Sequence, residues 1–143
     1  VGAIFLTGGA HADMIGESLL VANRFGGVVV TPGAVASIVQ CNGIAETREG
    51  TAMTITGAIT LADGVHLNGA GGETGLVANV IGRNAGFGVL VNASRATLLR
   101  NQGEDNRFGV GRYTGAVVVG NVGEVGGRER VPATAPALVS ALR

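Results

Sequence analysis

The stretch that decides the fold is "NVIGRNAGFGVLVNASRATLLRNQGEDNRFGVG", residues 79–111. Within it "NAGFGVLV" (84–91) is answered by "NRFGVGRY", which starts at 106, and far upstream "NRFGGVVV" (23–30) writes the same pattern again. Each copy is an Asn, then a Phe two or three residues later, then Gly and an apolar string. A pattern that returns at such intervals asks for a repeat architecture before any single element is assigned.

The phenylalanines set the period. Phe5, Phe25, Phe87 and Phe108 are separated by 20, 62 and 21 residues, and 62 is close to three times 21, which places all four on one lattice with unoccupied nodes near Glu46 and His66. Asn42, Asn101 and Asn121 are spaced by 59 and 20, Asn23, Asn84 and Asn106 precede a Phe each time, and "LVAN" occurs at 20–23 and 76–79. Within a period the apolar strings, such as "GFGVLV" (86–91) and "RATLLRN" (95–101), have strand length and are bounded by Gly, Asn, Ser or Asp. The turns lack the regular two-residue connection of hairpins. A unit this short cannot bury its apolar face alone, so successive coils must stack with strands parallel.

The spacing therefore predicts an all-β, parallel β-helix (a β-solenoid) with about 21 residues per coil and six to seven coils over residues 1–131. Like side chains should pile up, Phe over Phe in the interior and Asn over Asn at the corners. Residues 132–143, "PATAPALVSALR", read as a short C-terminal capping helix or tail, with Thr134 as N-cap and Leu138 and Leu142 on one face. No cap precedes Phe5, so the N-terminal coil is expected to stack on another copy or to continue a longer parent solenoid. A hexapeptide helix fits less well: its register holds for Ile55, Leu61 and Leu67 and fails at Glu73.

Composition agrees and narrows the function. The chain has 26 Gly, 46% hydrophobic and 14% charged residues, and neither Trp nor Lys, which opposes both disorder and long helices. Net charge is zero with arginines scattered, so no nucleic-acid footprint exists. No apolar run approaches the roughly 20 residues of a membrane helix. Cys41 is the single cysteine, which rules out an internal disulfide; in "IVQCNG" it reads as a small packing residue. His11 and His66 lack the further ligands a metal needs, so no metal or cofactor is expected. "NGAGGETG" (68–75) lacks the Lys of a phosphate loop and reads as a turn.

Residues 79–111 resemble the repeat of right-handed parallel β-helix proteins, the pectate-lyase-like superfamily and its NosD-like members. The likeness is clear over 76–122, fair over 19–42, and "AITLADGVHLNGAGG" (58–72) is similar to stretches where such helices begin. What it implies is architecture, because that superfamily holds lyases, hydrolases, epimerases, tailspikes and surface proteins alike. Its enzymes place acids, or an Arg or Lys acting as base, on an outer sheet face. On that basis Glu104, Asp105 and Arg107 of "RNQGEDNR" are the catalytic candidates, and Arg83, Arg100 and Tyr113 the substrate-binding ones. Neighbours in a strand face opposite ways, so Glu104 and Asp105 make a poor acid–base pair unless a loop turns them together.

The expected function is a non-enzymatic structural or interaction module of a surface, fibre or spike assembly, extracellular or at the cell surface, that associates with itself. The alternatives are a fragment of a polysaccharide lyase or glycoside hydrolase, or a carbohydrate-binding module, acting through the outer face of the solenoid.

Overall fold

The computed structural model of the chain describes residues 3–54, 57–113 and 115–127; the expected cap at 132–143 and the boundary at 131 lie outside them. Each of the first three circuits lays one strand on each of three sheets, and the later ones on two. Sheet A takes β1 (Ile4–Leu6), β4 (Phe25–Val30), β8 (Gly57–Asn68), β11 (Phe87–Asn92) and β13 (Phe108–Arg112). Sheet B takes β2 (His11–Gly16), β5 (Val35–Gln40), β9 (Glu73–Val77), β12 (Arg95–Leu99) and β14 (Val117–Gly120). Narrow sheet C takes β3 (Leu19–Val21), β6 (Gly43–Ala45) and β10 (Val80–Gly82), with Gln102 bridging Val80 one level on. Strands of successive circuits pair in parallel, giving a β-solenoid of about four turns.

The period and coil count differ from the expected 21 and six to seven. Ile4 pairs Val28, Val28 pairs Val65, Val65 pairs Val89 and Val89 pairs Val110, which are steps of 24, 37, 24 and 21. The long step holds an insertion: β7 (Gly50–Thr54) runs antiparallel to the first half of β8, pairing Gly50 with Leu61. Phe25 to Phe87 thus spans two circuits, one lengthened by a hairpin, and only by coincidence equals three steps of 21. The late shortening by three residues takes two from the first corner, which has four residues between Val30 and Val35 but two between Asn92 and Arg95, and one from the approach to sheet A, where Asn106 precedes Phe108 by two residues and Asn84 precedes Phe87 by three.

Inside the tube, rows of Val, Leu, Ile and Ala from the three sheets meet. Val28, Val65 and Val89 face Val39, Leu76 and Leu98, with Ile44 and Ile81 closing the third side, all at most 2% exposed. The interior rows hold no phenylalanine, contrary to expectation, although Phe25 is itself buried at 2% exposure. Phe87 and Phe108 do stack, at 5.0 Å between ring centroids, but on the outside of sheet A. The Phe5 and Phe25 rings also meet, at 6.2 Å between centroids, but Phe5 pairs in register with Val29 and Phe25 with Ala62, so the four do not form one ladder.

The asparagine ladders are where expectation and structure agree best. Asn79 donates its backbone N–H and its Nδ2 to Oδ1 of Asn101, at 3.1 and 3.0 Å, while the same Nδ2 reaches back to the Val39 carbonyl at 2.8 Å. Asn42 repeats this with Oδ1 of Asn79 and the Ile15 carbonyl. One amide therefore ties three circuits. Ser18 begins the ladder and Glu124 ends it, accepting the Asn101 N–H at 3.0 Å. Asn121 is not a rung; it caps the 3-10 turn Val122–Val125, accepting from the Gly123 N–H. A second ladder joins Thr47, Asn84 and Asn106, and ends on the Val125 carbonyl. Both ladders follow a residue held in the left-handed region. Glu17, Cys41, Ala78 and Arg100 precede the first ladder, and Ala22, Glu46, Arg83 and Asp105 mark the next corner, all with φ between 52° and 57°. Such a bend costs a non-glycine residue about 1–2 kcal/mol, so the buried amides must offset it.

Replacing Asn79 by Ala should strip the Asn42 N–H and the Val39 carbonyl, both on the circuit before, of their side-chain partner, take one of two donors from Asn101 Oδ1, and lower the unfolding free energy by roughly 3 kcal/mol in urea melts. Thr74 is the converse: its buried Oγ1 has no hydrogen-bond partner. Thr74→Val should therefore stabilise the chain by about 1 kcal/mol; a neutral Asn79→Ala would contradict the ladder's role.

Candidate functional site

Sheet A is the only sheet with a covered outer face among the described residues. Alternation turns Val28 and Val30 inward, so the row Phe5, Val29, His66, Leu90 and Gly111 must face out. Yet Val29, His66 and Leu90 are at most 1% exposed. The hairpin base crowds this face, since a Cβ on Gly50 would lie 2.5 Å from the Phe25 nitrogen.

Beside this layer lies a cleft of about 190 Å³, lined among others by Glu49, Asp63, Phe87, Arg107, Phe108 and Tyr113. Its walls follow from the coil register. Phe87 and Phe108 open two successive strands, and the Phe87 ring folds over Gly111, where a Cβ would sit 2.6 Å from the ring. The Arg107 guanidinium lies over the Phe108 ring, 5.4 Å from its centroid, a cation–π contact at the edge of the cleft. Asp63 is 3% exposed and serves two donors: Oδ1 accepts the Phe87 N–H at 2.9 Å, and Oδ2 accepts from His66 Nδ1 at 2.9 Å. The other ring nitrogen of His66, Nε2, is buried without a hydrogen-bond partner.

An aspartate orienting a histidine is half of a nucleophilic triad. The other half is missing here, because Nε2 is sealed from solvent and meets no hydroxyl or thiol among the described residues. The pair instead pins the start of β11 to β8.

The residues singled out from sequence fall in three places. Arg107 and Tyr113 line the cleft just described. Glu104 and Arg83 line another, of about 250 Å³, beside sheet C, where Arg83 pairs with Glu46 at 3.0 Å and donates its backbone N–H to the Glu104 carbonyl. Asp105 and Arg100 are exposed at left-handed corners. Glu104, Asp105 and Arg107 thus do not converge on one bond. His11 stands on sheet B and His66 on sheet A, and among the described residues no three His, Cys, Asp or Glu gather as metal ligands. Asp63 and Glu49 were not singled out, because residues three apart in a regular strand face opposite sides and the Asp63–His66 pairing leaves no periodic signal.

Comparison with protein-family models, with curated proteins and with solved structures finds no match for this chain. Among the described residues no helix is long and apolar enough to cross a membrane.

The two-donor role of Asp63 is testable. Asp63→Asn keeps one accepting oxygen where two donors need one each, and should lower stability by about 1–3 kcal/mol. Thermal melts that superimpose on those of the parent would remove Asp63 from the account.

Proposed function

We propose that this chain is a structural and interaction module, a rigid β-solenoid that serves as part of a surface, fibre or spike assembly in an extracellular or cell-surface setting, and is not an enzyme. The observation that carries this reading is where the polar side chains go. Asn42, Asn79, Asn84, Asn101 and Asn106 are buried and bind one circuit to the next, whereas Arg107 and Glu104 line different clefts and Asp105 is exposed at a corner. Acid–base work on a glycosidic bond needs two groups held on either side of it. The likeness of residues 79–111 to right-handed parallel β-helix repeats of the pectate-lyase-like kind is part of this proposal and supports scaffold and enzyme roles equally.

A second reading, carbohydrate binding at the outer face, is favoured by one feature. The cleft beside sheet A brings aromatic edges, Arg107 and carboxylates together, the mixture of apolar face and charged hydrogen-bonding groups that sugars use.

Incubation with uronic-acid polymers and neutral glycans, followed by absorbance of unsaturated product and reducing-end assays, should show no turnover. Turnover abolished by Asp63→Asn or Arg107→Ala would replace the module reading by an enzyme. Binding without turnover, weakened tenfold or more by Tyr113→Ala, would favour the second reading.

A further inference from the structure

The outer face of sheet B is an apolar surface left uncovered among the described residues. Alternation sends Val39, Leu76 and Leu98 into the tube and leaves their neighbours facing out in rows, one residue from each circuit. One row is Ile38, Gly75, Thr97 and Val119, and the row beside it holds Val77 and Leu99. Ile38, Leu99 and Val119 are 40%, 50% and 53% exposed. Sheet A, by contrast, has the hairpin of β7 against its outer side. The strands β5, β9, β12 and β14 carry only two charged residues, Glu73 on β9 and Arg95 on β12, the two middle strands of the patch. They pair in register and form a loose ion pair at 3.9 Å, with the Arg95 side chain 62% and the Glu73 side chain 52% exposed.

Resting on the module reading, we infer that the outer face of sheet B is an interface for a second copy of this chain. A two-fold axis lying in the interface along the strands, midway between β9 and β12, sets the circuits of one copy against those of the other in reverse order. Each residue then keeps its place along the strand, so that β9 faces the partner's β12 and β5 faces the partner's β14. Glu73 meets the partner's Arg95, and Arg95 meets the partner's Glu73. The same operation sets Ile38 against the partner's Val119 and Val77 against the partner's Leu99, while Gly75 leaves room for the partner's Thr97. Opposite charges meet and apolar side chains meet, and this complementarity of the face with itself is what selects a second copy as its occupant. An axis along the solenoid would instead bury Glu73 against Val77 and Arg95 against Leu99. Four strands at about 4.8 Å and five residues at about 3.3 Å give a footprint of roughly 19 by 17 Å. A contact of that size belongs to transient pairs, so the two copies associate weakly, and the first circuit lies outside the footprint.

Sedimentation of the 143-residue chain between about 1 μM and 1 mM should show one chain giving way to two. Glu73→Arg and Arg95→Glu should each weaken the pairing by about tenfold or more with an unchanged circular dichroism spectrum, because each sets like charges together across the axis. An equimolar mixture of the two variants should recover dimers that contain one of each, since opposite charges then meet at both positions. A mixture that stays monomeric where the parent pairs overturns the inference, and so does a parent dimer that neither variant weakens. A chain that is monomeric at every concentration overturns it too and leaves the module reading standing. If Leu99→Glu then lowers the melting temperature of that monomer, another segment of the chain covers the face. Turnover of a glycan, by contrast, would overturn the module reading while the sedimentation result still decided the interface.

Discussion

Stacking in register is the constraint on which the molecule depends, and the buried asparagine amide enforces it. An amide at Asn79 accepts from the circuit before and donates to the circuits on both sides, so a slip of one residue would unpair several buried groups at once. Each would then stand desolvated, at about 1–3 kcal/mol apiece. The apolar rows alone are more forgiving, because Val, Leu, Ile and Ala can replace one another along the tube with modest changes in volume. Register therefore comes from polar groups and bulk stability from apolar ones.

That division explains how the solenoid tolerates unequal circuits. The steps of 37, 24 and 21 on sheet A all return the chain to the same corner, because the amide fixes the corner and the intervening connection is free to lengthen or shorten. The hairpin of β7 and β8 leaves from a corner just after Thr47, a rung of the second ladder. It adds residues outside the tube and disturbs no inward row. Glu49 and the β8 residues Thr60 to Asp63 line the cleft beside sheet A together with Phe87 and Phe108. The feature that broke the repeat thus also supplies one wall of the cleft beside sheet A.

Much of the architecture was legible in the sequence, for a physical reason. Parallel stacking puts equivalent residues at equivalent positions, so Asn84 and Asn106, or Phe87 and Phe108, announce one circuit by their spacing. Asn79 is equally a rung, but its place between Asn42 and Asn101 was hidden by the insertion in the 59 residues that separate them. The same insertion disguised the step between Phe25 and Phe87 and inflated the number of coils. Inward and outward phenylalanines look alike in sequence, since only the alternation around Val28 to Val30 tells which way Phe5 points. The site was harder still. Arg107 and Tyr113 were recognisable as polar or aromatic groups near a corner, but the contact of Asp63 with His66 and the Phe87 N–H depends on where three strands meet, and no periodicity encodes that.

The most direct test of the stacked-amide account is through-hydrogen-bond scalar coupling in solution. Long-range correlations should connect the Asn42 N–H to the Asn79 side-chain carbonyl, the Asn79 N–H to that of Asn101, and the Asn84 N–H to that of Asn106. If those amide protons exchange rapidly with water, or correlate instead with carbonyls of an antiparallel neighbour, the parallel ladder is wrong and the register with it.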